Sequence, residues 1–543
     1  MTRALFDAAH YAAQLPGAVD AGAADPDRLH ADFCARGDAL GLNPSPYFAT
    51  RHYKARYPDW AAGGARTALE DYACRAARGD WRQPHPLIDP GWYLDQHPDL
   101  RRAGVEPLLH FQRHGDGECR SPSALFDAGF YARCYLELGA GHPFAHYQRA
   151  GRAAGHLPRP DPARARPGAL AAALGQLGPR PSVMIVLHDA QRAGVPILAL
   201  TVARGLVARG WAPVFVLHRA GPLRAAFEAL GPVFIMAEGW AAADLAQALA
   251  VPAPVPVSAP VPALVPALVM TAAAADLALP CAAGGRPVVL MIHEMRPYLE
   301  RSGAIAPLLA AGRAGVRMIA SMPRMAETLR PDLGELPVLV PVVETPQAGL
   351  GQIRARRRSL RAGAARVIIG AGHADHRKGF DLFLDAARAL ARARAGMRFV
   401  WLGALDGWAQ DLAARAGREG LDLILPGFVA APGPWYAASD AYLLTSREDA
   451  GPGTAVQAAR LGVPVVGYAA EIGLIGLSGG HIRWAPAFDR DRLLQALAEA
   501  LDHETPQTRR ARRRHAAGLI DIDAYVSGIE TALRAAPPSG GAA

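Results

Sequence analysis

Arg366-Val-Ile-Ile-Gly-Ala-Gly-His-Ala-Asp-His-Arg-Lys-Gly-Phe-Asp-Leu-Phe-Leu-Asp-Ala-Ala-Arg-Ala-Leu390 is the stretch whose reading decides the fold. A short apolar run comes first, then a loop with glycines at 370, 372 and 379, then a helical pattern from Asp381. The order is strand, loop, basic pair, helix start. Free backbone N–H groups and the helix dipole converge at such a place and favour an anion. Lys378 stands there, one of only two lysines among 58 strong cations. Lysine is a compact point charge and a common phosphate partner, whereas arginine is a planar fork. The competing reading is a solvated surface cation.

Working outward, the strand–helix alternation repeats. Val367–Ile369, Phe399–Leu402, Leu423–Leu425, Ala441–Leu444 and Val463–Val466 read as strands, each short and continuously apolar as buried parallel strands are. An arginine run at 354–358 precedes this block. Before it lies a first alternating block with strands expected at Val183–Leu187, Val214–Leu217, Val233–Met236, Ala267–Met270, Val288–Ile292, Arg317–Ser321 and Val338–Pro341. Gly210 reads as the C-terminal cap of a helix over Ile197–Arg209. Two such blocks predict two doubly wound, Rossmann-like α/β domains side by side. Ligands bind such sheets beyond the carboxyl ends of the strands. The proline-interrupted stretch Val251–Pro280 excludes a membrane-spanning helix there.

Residues 1–158 carry a degenerate repeat. Asp89 and Asp127, and Tyr93 and Tyr131, are each 38 residues apart, and His110 and His146 are 36 apart. Earlier copies begin at Phe6-Asp-Ala-Ala-His-Tyr11 and around Tyr53. Such a period predicts small helical units that stack to share a core. The recurring Tyr, His and Phe read as core residues, since no reactive constellation recurs with them. The expected boundaries are a helical module at 1–158, a Pro/Arg/Ala-rich linker at 159–181, a first Rossmann-like domain at 182–345, a second at 346–510, and a terminal helix and tail at 511–543.

A net charge of +9 favours anionic partners without choosing among them. Five cysteines lack metal-ligand spacing and read as reduced thiols. The first ten residues have no apolar leader core, so a cytoplasmic protein is expected. The arginine runs at 354–358 and 509–514 read most simply as solvated faces. Peripheral contact with an anionic membrane is the alternative. Nucleic acid is not expected, because no aromatic-interleaved basic motif accompanies the charge.

Four stretches fall at strand ends: the loop at Gly194, His293-Glu294, Arg377-Lys378-Gly379, and Thr445-Ser-Arg-Glu-Asp-Ala-Gly-Pro-Gly-Thr454 leading to Gln457 and Gly462-Val-Pro-Val465. In this order they resemble the GT-B glycosyltransferases, specifically family 4, over residues 181 to about 535. The N-terminal repeat also resembles one found upstream of bacterial enzymes of surface-polysaccharide synthesis. The resemblance implies transfer of a sugar from a nucleotide-sugar to a glycan or lipid-linked acceptor, with retention of configuration. It implies that Lys378, assisted by Arg377, meets the donor diphosphate, and that Gly194, Gly453 and Thr454 supply backbone N–H groups. Asp449 would lie by the sugar hydroxyls, Gln457 by the ribose, and His293 near the reacting carbon. Glu448 is the one-residue alternative to Asp449; spacing favours Asp449. Asp440 reads as structural, and Glu294 as either a cap or a ligand contact. No metal and no cofactor are expected, since no Asp-x-Asp follows any of the strands read above.

The chain departs from the family pattern. Gln457 replaces an acid, Ala450-Gly451 replaces a Pro-aromatic pair, and Gly372 sits where an arginine is common. Two alternatives stay open: a non-catalytic nucleotide- or carbohydrate-binding scaffold, and a nucleotide-sugar 2-epimerase.

Overall fold

The computed structural model describes residues 1–15, 25–136, 141–177, 180–250, 264–283, 285–341, 347–518 and 521–536. Contacts divide the chain into two compact units. One comprises Met1–Ala172 with Leu217–Ala220 and Phe234–Val251, and the other holds the rest.

The first unit is mainly helical. Its short helices begin alike: Asp7, Asp89 and Asp127 each accept the N–H three residues on, at 2.9, 3.0 and 2.8 Å, the geometry of an N-cap. The N–H groups of Asp7, Ala49, Asp89 and Asp127 donate to Pro44, Pro84, Pro122 and Pro158 carbonyls at 2.8–3.0 Å. Tyr11 and Tyr53 donate to Asp32 and Asp71 at 2.7 Å, and Tyr93 and Tyr131 pair with His110 and His146 at 3.0 and 2.8 Å. Each tyrosine is buried. These are core roles, as expected of the recurring aromatics.

The segments share one apolar core running from Leu5 to Tyr147. They do not lie in an open row, as a simple stack would. Arg149 reaches back to Asp7 at 2.7 Å, and Gln112 to the Ala4 carbonyl at 3.3 Å. At the centre, the fully buried Asp116 accepts the Tyr47 hydroxyl (2.8 Å) and the N–H groups of Phe144 and Ala145 (2.7 and 3.0 Å). One carboxylate thereby joins three segments.

The chain forms two parallel six-stranded sheets, which apart from Leu217 and Phe234–Ile235 belong to the second unit. The strands of the first are β1 (Ser182–Leu187), β2 (Ala212–Leu217), β3 (Val233–Ile235), β4 (Ala267–Val269), β5 (Val288–Ile292) and β6 (Arg317–Ala320), in spatial order β3-β2-β1-β4-β5-β6. The chain continues through β7 (Arg366–Ala371), β8 (Met397–Leu402), β9 (Leu423–Gly427), β10 (Ala441–Leu444), β11 (Glu448–Asp449), β12 (Val465–Ala469), β13 (Glu471–Ile472) and β14 (Ile482–Pro486). The second sheet runs β14-β12-β10-β7-β8-β9, while β11 and β13 form a separate parallel pair. The central strands are buried throughout, which is why they read as unbroken apolar runs. The last helix, Ile522–Ala535, returns to the first sheet's layer, where Trp211 donates to Glu530 at 3.2 Å and Arg209 pairs with Asp523 at 3.0 Å.

Several expectations are corrected. Val338–Pro341 forms no strand; Val338 makes a single bridge to Ala320, because Pro337 and Pro341 lack the N–H groups a ladder needs. The linker contains a helix, Pro167–Gly175, whose Ala/Leu-rich sequence begins with proline at the first position. The arginine runs are not simply solvated. Arg512 is buried against Glu504, with both bonds 3.0 Å, and against the Gly462 carbonyl. Arg356 lies 3.7 Å from the Trp435 ring centroid, and Arg357 donates to the Ala437 carbonyl. Part of the Val251–Pro280 stretch, 251–263, lies outside the described residues. Among the described residues no helix is long and apolar enough to cross a membrane.

Candidate functional site

The carboxyl end of β7 leads into the loop that holds Lys378. Gly379 ends it with φ +68°, and a Cβ there would stand 2.0 Å from the Thr445 carbonyl oxygen. Only glycine fits both the left-handed turn and that approach. The loop is clamped from β10's far end. Arg447 grips Asp381 with both arms (2.8 and 2.7 Å) and donates to the His376 carbonyl at 2.7 Å, while its own N–H donates to the Arg377 carbonyl at 2.8 Å. Burial works against the Asp381 carboxylate, but the Arg447 fork outweighs it and holds the pKa below the ordinary value.

Within this frame the Lys378 ammonium lies 2.5 Å from Asp449 Oδ2, with side-chain exposures of 17% and 8%. Asp375 accepts the Lys378 backbone N–H at 2.6 Å, and Ser446 donates to Asp449 Oδ2 at 3.4 Å. Arg377 donates to the Glu448 carbonyl at 3.1 Å. Asp449 rather than Glu448 is therefore the lysine's partner. Glu448 turns the other way. Its carboxylate accepts the Tyr298 N–H at 2.9 Å and pairs with Arg301.

The helix Gly453–Arg460 follows β11. The Gly453 N–H, an expected donor, is engaged within the chain, donating to the Gly451 carbonyl at 2.7 Å. Pro452, at φ −67° and ψ 76°, closes an inverse γ-turn. Ala455 and Val456 donate back to the Pro452 carbonyl. Among the described residues, the Thr454 N–H makes no hydrogen bond and is what this helix start offers an anion. The Thr454 hydroxyl meets Tyr442 at 2.7 Å. Gln457 sits one turn on, half-buried.

In the first sheet, Gly194 opens a 15-residue helix with no side-chain cap, and a Cβ there would meet nothing within 4 Å. The N–H groups of Gly194 and Val195 thus begin an uncapped helix beside open space. Glu294 is a cap: it binds the Thr271 hydroxyl and the Ala272 and His293 N–H groups (3.2 and 2.9 Å). Asp440 is structural, gripping Arg361, Arg366 and the Val367 N–H. Direct contacts thus join Lys378, Asp449, Arg377 and Glu448. Gly194, His293 and Gln457 stand at their expected chain positions, and His293 and Gly194 make no hydrogen bond to that group among the described residues. Sequence reasoning missed Arg447, whose partner Asp381 lies 66 residues away, and the role of Glu448.

The His293 ring nitrogen Nε2 is buried without a partner, although part of the residue reaches the surface. Burial lowers its pKa from 6.5 to about 4, so the imidazole is neutral at ordinary pH. Between those values the unfolded chain holds a proton here that the folded chain lacks. Stability from this group is complete above pH 6.5 and falls as pH drops toward 4, by up to ~1.4 kcal/mol per unit. His293→Gln should abolish this component. Urea midpoints at pH 7 and pH 4.5 will show wild type losing ground to the variant on acidification; a gap that stays constant would contradict the burial argument.

Residues 365–503 match the family described as glycosyl transferases group 1. No curated protein matches the chain. Among solved structures, Anabaena Alr3699/HepE in complex with UDP-glucose is 17% identical, with a TM-score of 0.55 over 65% of this chain and 99% of that one. Its complex with UDP gives 16% identity and the same TM-score. Sucrose-phosphate synthase (tll1590) from Thermosynechococcus elongatus gives 13% identity and a TM-score of 0.51, over 65% of this chain and 98% of that one. The chain thus has the GT-B fold, and its second Rossmann-like domain carries the match to glycosyl transferases group 1.

Proposed function

We propose that the chain is a glycosyltransferase of family 4 type. It would move a sugar from a nucleotide-sugar, with retention of configuration, to a glycan or lipid-linked acceptor in surface-polysaccharide synthesis. The observation that carries this reading is the Lys378–Asp449 pair at the strand ends of the domain that matches glycosyl transferases group 1. The HepE structures hold UDP and UDP-glucose, which supports a nucleotide-sugar donor.

In the reaction, the bond from the anomeric carbon to the diphosphate oxygen breaks. Negative charge gathers on the departing phosphate, and the acceptor oxygen bonds to that carbon as its proton passes to the departing phosphate oxygen. Lys378 has three N–H donors; one rests on Asp449 and two remain for phosphate oxygens. Arg377 adds a second cation, and the N–H groups of Thr454, Gly194 and Val195 add fixed dipoles. Asp449 orients the lysine and keeps its other oxygen for a sugar hydroxyl. Gln457 would bind a ribose hydroxyl without charge. His293, neutral, serves as a hydrogen-bonding group beside the reacting carbon.

Lys378→Ala should lower transfer roughly 100- to 1000-fold, about 2.7–4 kcal/mol of barrier, by analogy with loss of an oxyanion donor. The assay is turnover of nucleotide-sugars with candidate glycan acceptors, with product stereochemistry read by NMR. Near-normal turnover of a folded variant would sink the phosphate role. Binding without turnover in wild type would favour a scaffold, and donor conversion without acceptor a 2-epimerase.

We assign the charge-stabilising role to Lys378, Arg377 and backbone dipoles rather than to a metal. Turnover should survive excess EDTA. Full loss restored by Mn²⁺ or Mg²⁺ would overturn this.

Peripheral membrane contact is part of the same proposal. Arg354, Arg358, Arg510 and Arg514 are exposed and form no ion pair among the described residues, so anionic headgroups can take them at roughly 1 kcal/mol each. The chain should sediment with phosphatidylglycerol vesicles and less so after substitution of these four by glutamate. Equal sedimentation would count against the contact.

A further inference from the structure

Glu448 is not used in the chemistry above, yet it is buried, and its contacts run in two directions. Through its backbone carbonyl it holds Arg377 at 3.1 Å. Through its carboxylate it holds the first Rossmann-like domain, by the Tyr298 N–H at 2.9 Å and by Arg301. Both partners lie on the short helix Arg296–Arg301, which starts three residues after His293. One residue thus connects the lysine turn of one domain to the segment beside the neutral histidine of the other.

The surrounding contacts make this an abutment rather than a lone ion pair. Glu448 lies on β11, which pairs with β13. From β13, Glu471 faces Arg324 of the first domain at 3.4 Å. Met322, buried at the start of that same helix Pro323–Leu333, rests on the two glycines flanking this ribbon. A Cβ on Gly451 would stand 3.1 Å from Met322 Cε, and one on Gly473 would stand 3.0 Å from Met322 Cγ. The Arg301 side chain is 60% exposed, while Glu448 is 8% exposed. The glutamate is therefore the fixed member, and its desolvated charge requires the partners it has.

We infer that Glu448 is a positioning residue: it sets the separation of the two Rossmann-like domains and so the distance between the Lys378 turn and the His293 segment. Its kinetic consequence rests on the glycosyltransferase reading; its structural consequence does not. The cations that meet the donor's diphosphate, Lys378 and Arg377, and the Thr454 N–H all lie in the second domain, and only the Gly194 and Val195 N–H dipoles come from the first, so losing the abutment should leave donor affinity largely intact. What it removes is alignment across the cleft, where a shift of about 1 Å can cost about 100-fold in rate.

The test pairs hydrogen exchange with kinetics on the full chain. The Tyr298 N–H is shared between the Glu448 carboxylate at 2.9 Å and the Met295 carbonyl at 3.1 Å, so in Glu448→Ala, with the carboxylate gone, this amide should exchange measurably faster than in wild type. In the same variant kcat should fall roughly tenfold to 100-fold while donor KM stays within about twofold. Arg301→Ala should move both in the same direction but less. Glu448→Gln keeps an acceptor for the Tyr298 N–H and loses only the charge, so it should restore amide protection and much of kcat. If Glu448→Ala does not fold, the contrast between Glu448→Gln and wild type under rising salt replaces it. Unchanged exchange at Tyr298, or a KM rise that accounts for the whole loss, would overturn the inference. Faster exchange in a protein without transferase activity would uphold the abutment and count against the proposed function instead.

Discussion

The site depends on one constraint: a lysine ammonium held mostly out of water, beside a carboxylate, with donors still to give. Such a pair forms only if the backbone delivers the lysine to a fixed place. Three independent devices do so here. Gly379 adopts the left-handed turn against the Thr445 carbonyl. Arg447 ties the loop's carbonyls and Asp381 to the end of β10. Asp375 takes the Lys378 N–H. With the turn over-determined, the Lys378–Asp449 contact requires little further ordering. Removing either partner would leave a charge stranded at a cost of about 3–5 kcal/mol, more than a surface pair contributes.

The same logic governs the two Rossmann-like domains as a whole. Each sheet positions loops at its strand ends, but neither sheet alone fixes what stands opposite. The chain returns to the first sheet's layer through its last helix, held by Trp211–Glu530 and Arg209–Asp523. It also meets itself at the β11–β13 ribbon, through Glu448, Glu471 and the glycines under Met322. The returning helix restrains the domains at a distance from Lys378 and Asp449, and the ribbon restrains them beside that pair.

Much of this is legible in the sequence, for a physical reason. Parallel strands buried on both faces read as apolar runs, so most of both sheets can be placed. The failures are equally physical. β14, Ile-Arg-Trp-Ala-Pro, lies at an edge of its sheet with Arg483 and Pro486 exposed, so its apolar run is broken and it escapes a search for continuous runs. Val338-Leu-Val-Pro341 passes that search and still forms no ladder. Lys378, Arg377 and Asp449 are legible because glycines and spacing mark them. Arg447 and Glu448 are not, because their roles come from partners 66 to 150 residues away. The arginine run at 509–514 misleads in the other direction: composition shows charge, but only packing shows Arg512 buried on Glu504.

The chain's other lysine shows what distinguishes a site from a strut. Lys54 also sits 2.5 Å from a buried carboxylate, Asp38, in the helical unit. By scarcity and by pairing alone, the two lysines are equivalent. Their remaining donors are not. Lys54 also gives a hydrogen bond to the Asp38 carbonyl at 2.8 Å and lies 4.6 Å from the Trp60 ring centroid, so its charge is met by the protein on several sides. Among the described residues the Lys378 ammonium makes one hydrogen bond, to Asp449, and it stands where a strand end, a glycine turn and a helix start converge. A desolvated ammonium with donors still unpaired is stable only where something outside the fold completes it. That incompleteness, rather than the rarity of lysine, is what singles out Lys378 as the candidate site and sets Lys54 apart as part of the scaffold.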